Sequence, residues 1–83
     1  MLRIPVTYDL MCQIKDDRRL LLNKPYHAII TRNNKEVAVV LIDSISIVKG
    51  ADLLDWEKDE VIRIAMQHKY ELESEYRRVM NGW

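Results

Sequence analysis

The chain has 83 residues, 48% of them hydrophobic, with 13 basic and 13 acidic side chains and a formal net charge of zero. That length makes one domain at most, the hydrophobic content argues against full disorder, and no apolar run approaches the roughly 20 residues of a membrane-spanning helix. The single Cys12 excludes an internal disulfide and fits a reducing, cytoplasmic setting, and Met-Leu-Arg-Ile-Pro lacks the apolar core of a signal peptide.

The zero balance hides an asymmetry. Residues 1–50 carry eight basic and five acidic residues, a net of +3; residues 51–83 carry five basic and eight acidic, a net of −3. Halves of opposite sign suit two partners of opposite charge.

In chain order, residues 2–8 read as a short strand, which Pro5 confines to an edge or a strand start. Asp9 is a good N-cap, and Leu10, Met11 and Ile14 follow at helical apolar spacing, so a short helix is expected there. Asp16 and Asp17 can end it and cap a second, over residues 18–22, which Asn23, Lys24 and Pro25 stop. Residues 26–32 and 35–42 are two β-branched runs joined by Asn33-Asn34. A type I′ turn needs positive φ at both central residues, and Asn accepts that better than any residue but Gly, so a hairpin is expected.

The second strand is apolar on both faces: Val37, Val39 and Leu41 on one, Ala38, Val40 and Ile42 on the other. A half-buried antiparallel strand should alternate apolar with polar. Both faces of the sheet are therefore expected to be covered, one of them by a second subunit in preference to the chain's own helices. Residues 43–50 fit two patterns. Asp43 can cap a helix with Ile45 and Val48 inward, or Ile45 and Ile47 can alternate with Ser44 and Ser46 as a strand; the helix is preferred.

Residues 51–80 form one helical pattern. Leu54, Val61, Ala65, His68, Leu72, Tyr76 and Val79 recur at three- and four-residue steps, with acidic residues at the start and Arg77 and Arg78 near the end, which complements the helix dipole. A helix of that length runs roughly 45 Å, more than a small domain covers. The stripe is expected to need a partner, the alternative being that it folds back on the domain.

No catalytic or metal constellation emerges. There is no Gly-rich phosphate loop, and His27 and His68 have no Cys or His at zinc spacing. No nucleophile has a convincing base, and no cofactor is implied.

At the hairpin, Ile29-Ile30-Thr31-Arg32-Asn33-Asn34-Lys35-Glu36-Val37-Ala38-Val39-Val40-Leu41 resembles the "ITR-x-G-x-x-A-V-L" stretch of the Phd/YefM antitoxin family. The likeness covers about residues 2–48. It implies an α/β (α+β) fold: a short N-terminal strand, two short helices, the hairpin and a C-terminal helix. It also implies a type II antitoxin. Residues 1–50 would dimerise and bind operator DNA, and residues 51–83 would hold a cognate toxin, a RelE/ParE-like or Doc-like protein. Arg32 matches a DNA-contacting Arg of the family; Arg3, Lys15, Arg18 and Lys35 are further DNA candidates by charge alone. Met11 stands where the family's other DNA-contacting Arg would be, and Asn34 or Lys35 replaces the turn Gly.

The expected toxin-contacting residues are Trp56, Val61, Ile62, Ala65, Met66, Leu72, Tyr76 and Val79, with Trp83 at the far end. Anchors at such spacing suit a helix lying in a groove. The competing expectation is a homo-oligomeric structural or adaptor protein whose long helix pairs with itself.

Overall fold

In the computed structural model, which describes residues 2–82, eight elements follow one another: β1 (Arg3–Pro5), β2 (Leu10–Gln13), α1 (Arg18–Leu21), β3 (His27–Arg32), β4 (Lys35–Leu41), β5 (Ser46–Ile47), α2 (Asp55–Gln67) and α3 (Lys69–Asn81). The fold is mixed α+β. The strands form one antiparallel sheet in sequential order, β1-β2-β3-β4-β5.

The hairpin forms as the sequence predicts. Asn33 and Asn34 have φ of 53° and 64°, and Arg32 pairs with Lys35 across the turn. The register shifts once: Ile30 opposes Ala38 while Thr31 opposes Glu36, so Val37 is an extra, bulged residue. Ala38, Val40 and Ile42 are buried, and Val39 and Leu41 are half-buried.

Residues 10–13 are a strand, where a helix is expected. Leu10, Cys12 and Ile14 are each 1% exposed, and their spacing satisfies a two-residue period as well as a helical one. The preceding turn decides between them. The Thr7 hydroxyl donates to Asp9 at 3.0 Å and accepts from the Leu10 N–H at 3.1 Å, while the Val6 N–H donates to the Leu10 carbonyl at 2.9 Å. That closes a β1–β2 turn and gives the Asp9 carboxylate a partner other than a helix terminus. Of the two short helices expected, only α1 forms. Asp17 caps it, its carboxylate accepting from the Arg19 N–H at 2.9 Å.

Residues 43–50 are not helical either. The chain turns through residues 42–45, with Ile45 at φ 51°, and then pairs Ile47 with Val40 and Ser46 with Leu41. Positive φ is unusual for a β-branched residue, so this turn carries backbone strain.

The C-terminal stretch is two helices rather than one. The break is at His68 (φ −112°, ψ 20°). The His68 N–H still reaches the Ile64 carbonyl, and the Leu72 N–H reaches the His68 carbonyl, so the axis bends with little loss of hydrogen bonding. A straight rod of 27 residues would be about 40 Å long, whereas five strands span about 20 Å. Bending lets the stripe on both sides of His68 meet one sheet face. The molecule is accordingly only 37 Å in its longest dimension.

Val61, Ala65, Leu72, Tyr76 and Val79 join Ile4, Leu10, Cys12, Ile30 and Val40 in one core cluster. The fold-back alternative, not the unpartnered stripe, describes this chain. Burying each large side chain stabilises by about 1.5–3 kcal/mol, and this is the cover that the sheet's inner face requires.

Candidate interaction surfaces

Strand registers sort the sheet's side chains onto two faces. The rows Ile4–Cys12–Ile30–Ala38 and Ala28–Val40–Ile47 face the helices. The alternate rows, Pro5–Met11–Thr31–Glu36, Arg3–Gln13–Ile29–Val39 and His27–Leu41–Ser46, face the other way, although His27, at the start of β3, also meets the Tyr76 ring of α3 edge-on. Val39 and Leu41 there line a shallow hollow with Lys15, Lys24, Lys49, His27 and Glu36. Lys15 Nζ is 3.6 Å from the Glu36 carboxylate. Arg3 is exposed on the same face. Four cations thus surround a small aliphatic strip that holds one carboxylate.

The DNA candidates do not come together. Arg3 and Lys15 share the open face, and Arg18 lies on α1. Arg32, in the row of Leu10 and Lys35, points to the helix side. Its guanidinium pairs with the Glu57 carboxylate, and its Nε lies 3.1 Å from Asp9. The Nε–H is misaligned for a hydrogen bond, so the Asp9 contact is an ion pair by distance alone. The hydrogen bond to Glu57, with the charges of Glu57 and Asp9 beside it, raises the Arg32 pKa further.

Glu57 is 4% exposed, and its second oxygen accepts from the Leu54 N–H at 2.9 Å. Leu54 has no side-chain acceptor to return, so this is half of a capping box. Arg32 therefore fastens the hairpin tip to the first turn of α2.

The toxin-contact candidates divide by burial. Val61, Ala65, Leu72, Tyr76 and Val79 are core, Ile62 is half-buried, and Met66 and Trp56 are exposed. Trp83 lies outside the described residues. The Tyr76 hydroxyl sits among the carbonyls of Leu21 (3.1 Å) and Pro25 (3.2 Å), and its ring stacks on Tyr26 with centroids 4.4 Å apart.

Trp56 is not alone on the surface. Tyr8, Leu54 and Trp56 are 96%, 62% and 52% exposed and line one cleft with Asp9, Arg32, Asp52 and Glu57. Three carboxylates there face one guanidinium. Asp55 and Asp59, on the first two turns of α2, are also exposed. The head of α2 is thus an acidic, aromatic patch. No protein-family model matches the chain, and neither a curated protein nor a solved structure matches it.

The helical spacing does not select Tyr8 or Leu54 as contact residues: it places Leu54 in the apolar stripe, although that residue stands one position before the first turn of α2. The signal for Tyr8 is an aromatic side chain between two turn-forming residues, Thr7 and Asp9.

Among the described residues no three His, Cys, Asp or Glu side chains are grouped to hold a metal ion. Burial pushes the Cys12 thiol up to about 12, which keeps it protonated and unreactive at neutral pH.

Proposed function

We propose that this protein binds and neutralises a basic partner protein, as an antitoxin does its toxin, through the acidic, aromatic head of α2. The observation that carries the reading is the exposure of Tyr8, Leu54 and Trp56 beside three carboxylates that share the single guanidinium of Arg32. Large exposed side chains clustered in this way mark interaction sites, and Trp and Tyr dominate binding energy where they occur. The surrounding negative charge selects a basic partner and speeds encounter more than it adds affinity.

The hairpin's resemblance to Phd/YefM antitoxins supports the same class of function, with the binding surface moved. An antitoxin tail that lies along its toxin needs its apolar stripe free, and here the sheet holds that stripe. The helix head takes its place, with Trp56 the contact residue common to both readings.

The test is co-expression with a small basic protein encoded beside this one. Expressed alone, that protein should arrest growth, and this chain should relieve the arrest. Trp56→Ala combined with Asp52→Lys should abolish relief while the circular dichroism spectrum stays unchanged. Full relief by that variant, or the lack of any toxic neighbour, overturns the reading.

A further inference from the structure

We propose that the open face of the sheet and the acidic head of α2 are two halves of one head-to-tail interface, through which copies of this chain associate. The proposal rests on the preceding reading only in taking the head of α2 as a docking surface. Growth rescue does not enter its test, so the two ideas fail separately.

Charge selects the occupant. The open face presents Arg3, Lys15, Lys24 and Lys49 against one carboxylate, Glu36, around Val39 and Leu41. Packing two such faces together about a twofold axis sets four cations against four, and like charges in apposition repel. The self-paired sheet that the apolar hairpin suggests is therefore disfavoured.

Nucleic acid would also answer the charge, but a single strand needs aromatic platforms for its bases, and phosphate contacts to a duplex leave the aliphatic strip without a partner. The side chains at the centre of this face are the aliphatic Val39, Leu41 and Ile29. An acidic protein surface with apolar side chains satisfies both features. The chain itself carries one: Asp52, Asp55 and Asp59 beside Tyr8, Leu54 and Trp56. Each copy thus has a donor surface and an acceptor surface, which adjoin where Lys49 and Asp52 line one hollow with Glu36.

A contact between unlike surfaces propagates from copy to copy and either closes as a ring or extends as a filament. The sheet face is only about 20 Å across, so each contact is below the usual size of a stable interface and association is weak. A basic partner on the head of α2 would compete with the next copy and disperse the assembly.

The experiment is sedimentation equilibrium on the full chain, up to about 1 mM. Runs at about 0.02 M and about 0.5 M salt bracket the screening range. Wild type should show a weight-average mass that rises with concentration at low salt and falls to the monomer at high salt. Lys24→Glu with Lys49→Glu reverses the face, and Asp52→Lys with Asp55→Lys reverses the head. Each pair alone should give monomers. All four substitutions in one chain should restore association, because face and head are then complementary again with the signs exchanged. A sheet-to-sheet dimer would not be restored in that way.

All four side chains are exposed, and amide spectra establish that each variant is folded. A wild type that stays monomeric at low salt overturns the proposal. So does association that ignores salt, or a fourfold variant that remains monomeric while folded.

Discussion

The hydroxyl of Tyr76 on α3 lies 3.1 Å from the carbonyl oxygen of Leu21, the last residue of α1, across 55 positions of sequence. The Pro25 carbonyl is 3.2 Å from the same hydroxyl, so one O–H serves the end of α1 and the loop into β3. Leu21 ends a four-residue helix, so its carbonyl has no later helical turn to serve and accepts from the Lys24 N–H at 3.3 Å as well as from Tyr76. The C-terminal helix is thereby a structural part of the domain, tied to it by a buried polar contact as well as by apolar packing.

Replacing Tyr76 with Phe keeps the ring stack on Tyr26 and removes the donor. The Pro25 carbonyl keeps the His27 ring nitrogen at 2.9 Å and the Leu21 carbonyl keeps the Lys24 N–H at 3.3 Å, so the loss is that of one buried hydrogen bond, about 1 kcal/mol. For a chain of this size that lowers the melting temperature by about 4–8 °C for each kcal/mol. Thermal melts of Tyr76→Phe and wild type check it. An unchanged midpoint would mean that water serves these carbonyls equally well.

Alkaline pH should weaken the fold through Cys12. Burial raises its thiol from about 9 to about 12. A group whose pKa is raised on folding contributes stability that is complete below its unfolded value and is lost as pH climbs toward the folded one. Stability is therefore flat up to about pH 9 and falls between about 9 and 12, by on the order of 4 kcal/mol in all. Tyr76, also raised by burial, adds to the decline at the upper end. Urea titrations from pH 8 upward should show this loss in wild type, and Cys12→Ala, although less stable at neutral pH, should show a shallower decline.

Local chemistry made some of this architecture readable from sequence. Asn33-Asn34 between β-branched runs specifies a turn by backbone conformation alone, and Asp17 specifies a helix start by one side-chain hydrogen bond. Leu10, Cys12 and Ile14 fit both periods, and the choice between them is made by the Thr7 hydroxyl and by pairing with β3. Within residues 43–50, Ser46 and Ile47 are strand because the Val39–Leu41 stretch of β4 pairs with this segment. The stripe from Val61 to Val79 was visible as a stripe, but periodicity does not say what it packs against. A bend at His68, with no Gly or Pro to announce it, decided that. The candidate surface was least legible, because it joins Tyr8 to Trp56 across 48 positions of chain and only folding brings them together.

Glu57 gives a further test, because one carboxylate serves two contacts. It caps the Leu54 N–H and pairs with Arg32. Glu57→Ala loses the cap, worth about 1 kcal/mol. It also leaves Arg32 with only Asp9, at poor hydrogen-bond alignment. The melting temperature should fall by more than the cap alone explains, and amide exchange should quicken in the first turn of α2. Glu57→Gln keeps an acceptor for the Leu54 N–H and should recover part of the loss. If Gln behaves as Ala, the cap contributes nothing and the ion pair accounts for the whole effect.

The last comparison separates core from surface along one helical pattern. Leu72 is fully buried and belongs to the same stripe as Val61 and Tyr76, whereas Trp56 is 52% exposed at the head of α2. Leu72→Ala removes a core side chain and should cost about 2–5 kcal/mol, a large part of the stability of so small a domain. Leu72→Asp buries an unpaired carboxylate and should abolish folding. Trp56 lies outside the core cluster, and Trp56→Ala should shift stability by no more than about 0.5 kcal/mol. Binding should respond in the opposite order: Trp56→Ala should weaken capture of a basic partner while the protein remains folded, and Leu72→Ala should leave affinity unchanged wherever the variant is folded. Chemical denaturation supplies the first ranking, and titration calorimetry against the partner that the co-expression test identifies supplies the second. If Leu72→Ala lowers affinity in a folded protein while Trp56→Ala does not, the stripe rather than the helix head is the contact surface, and α3 must leave the sheet to bind.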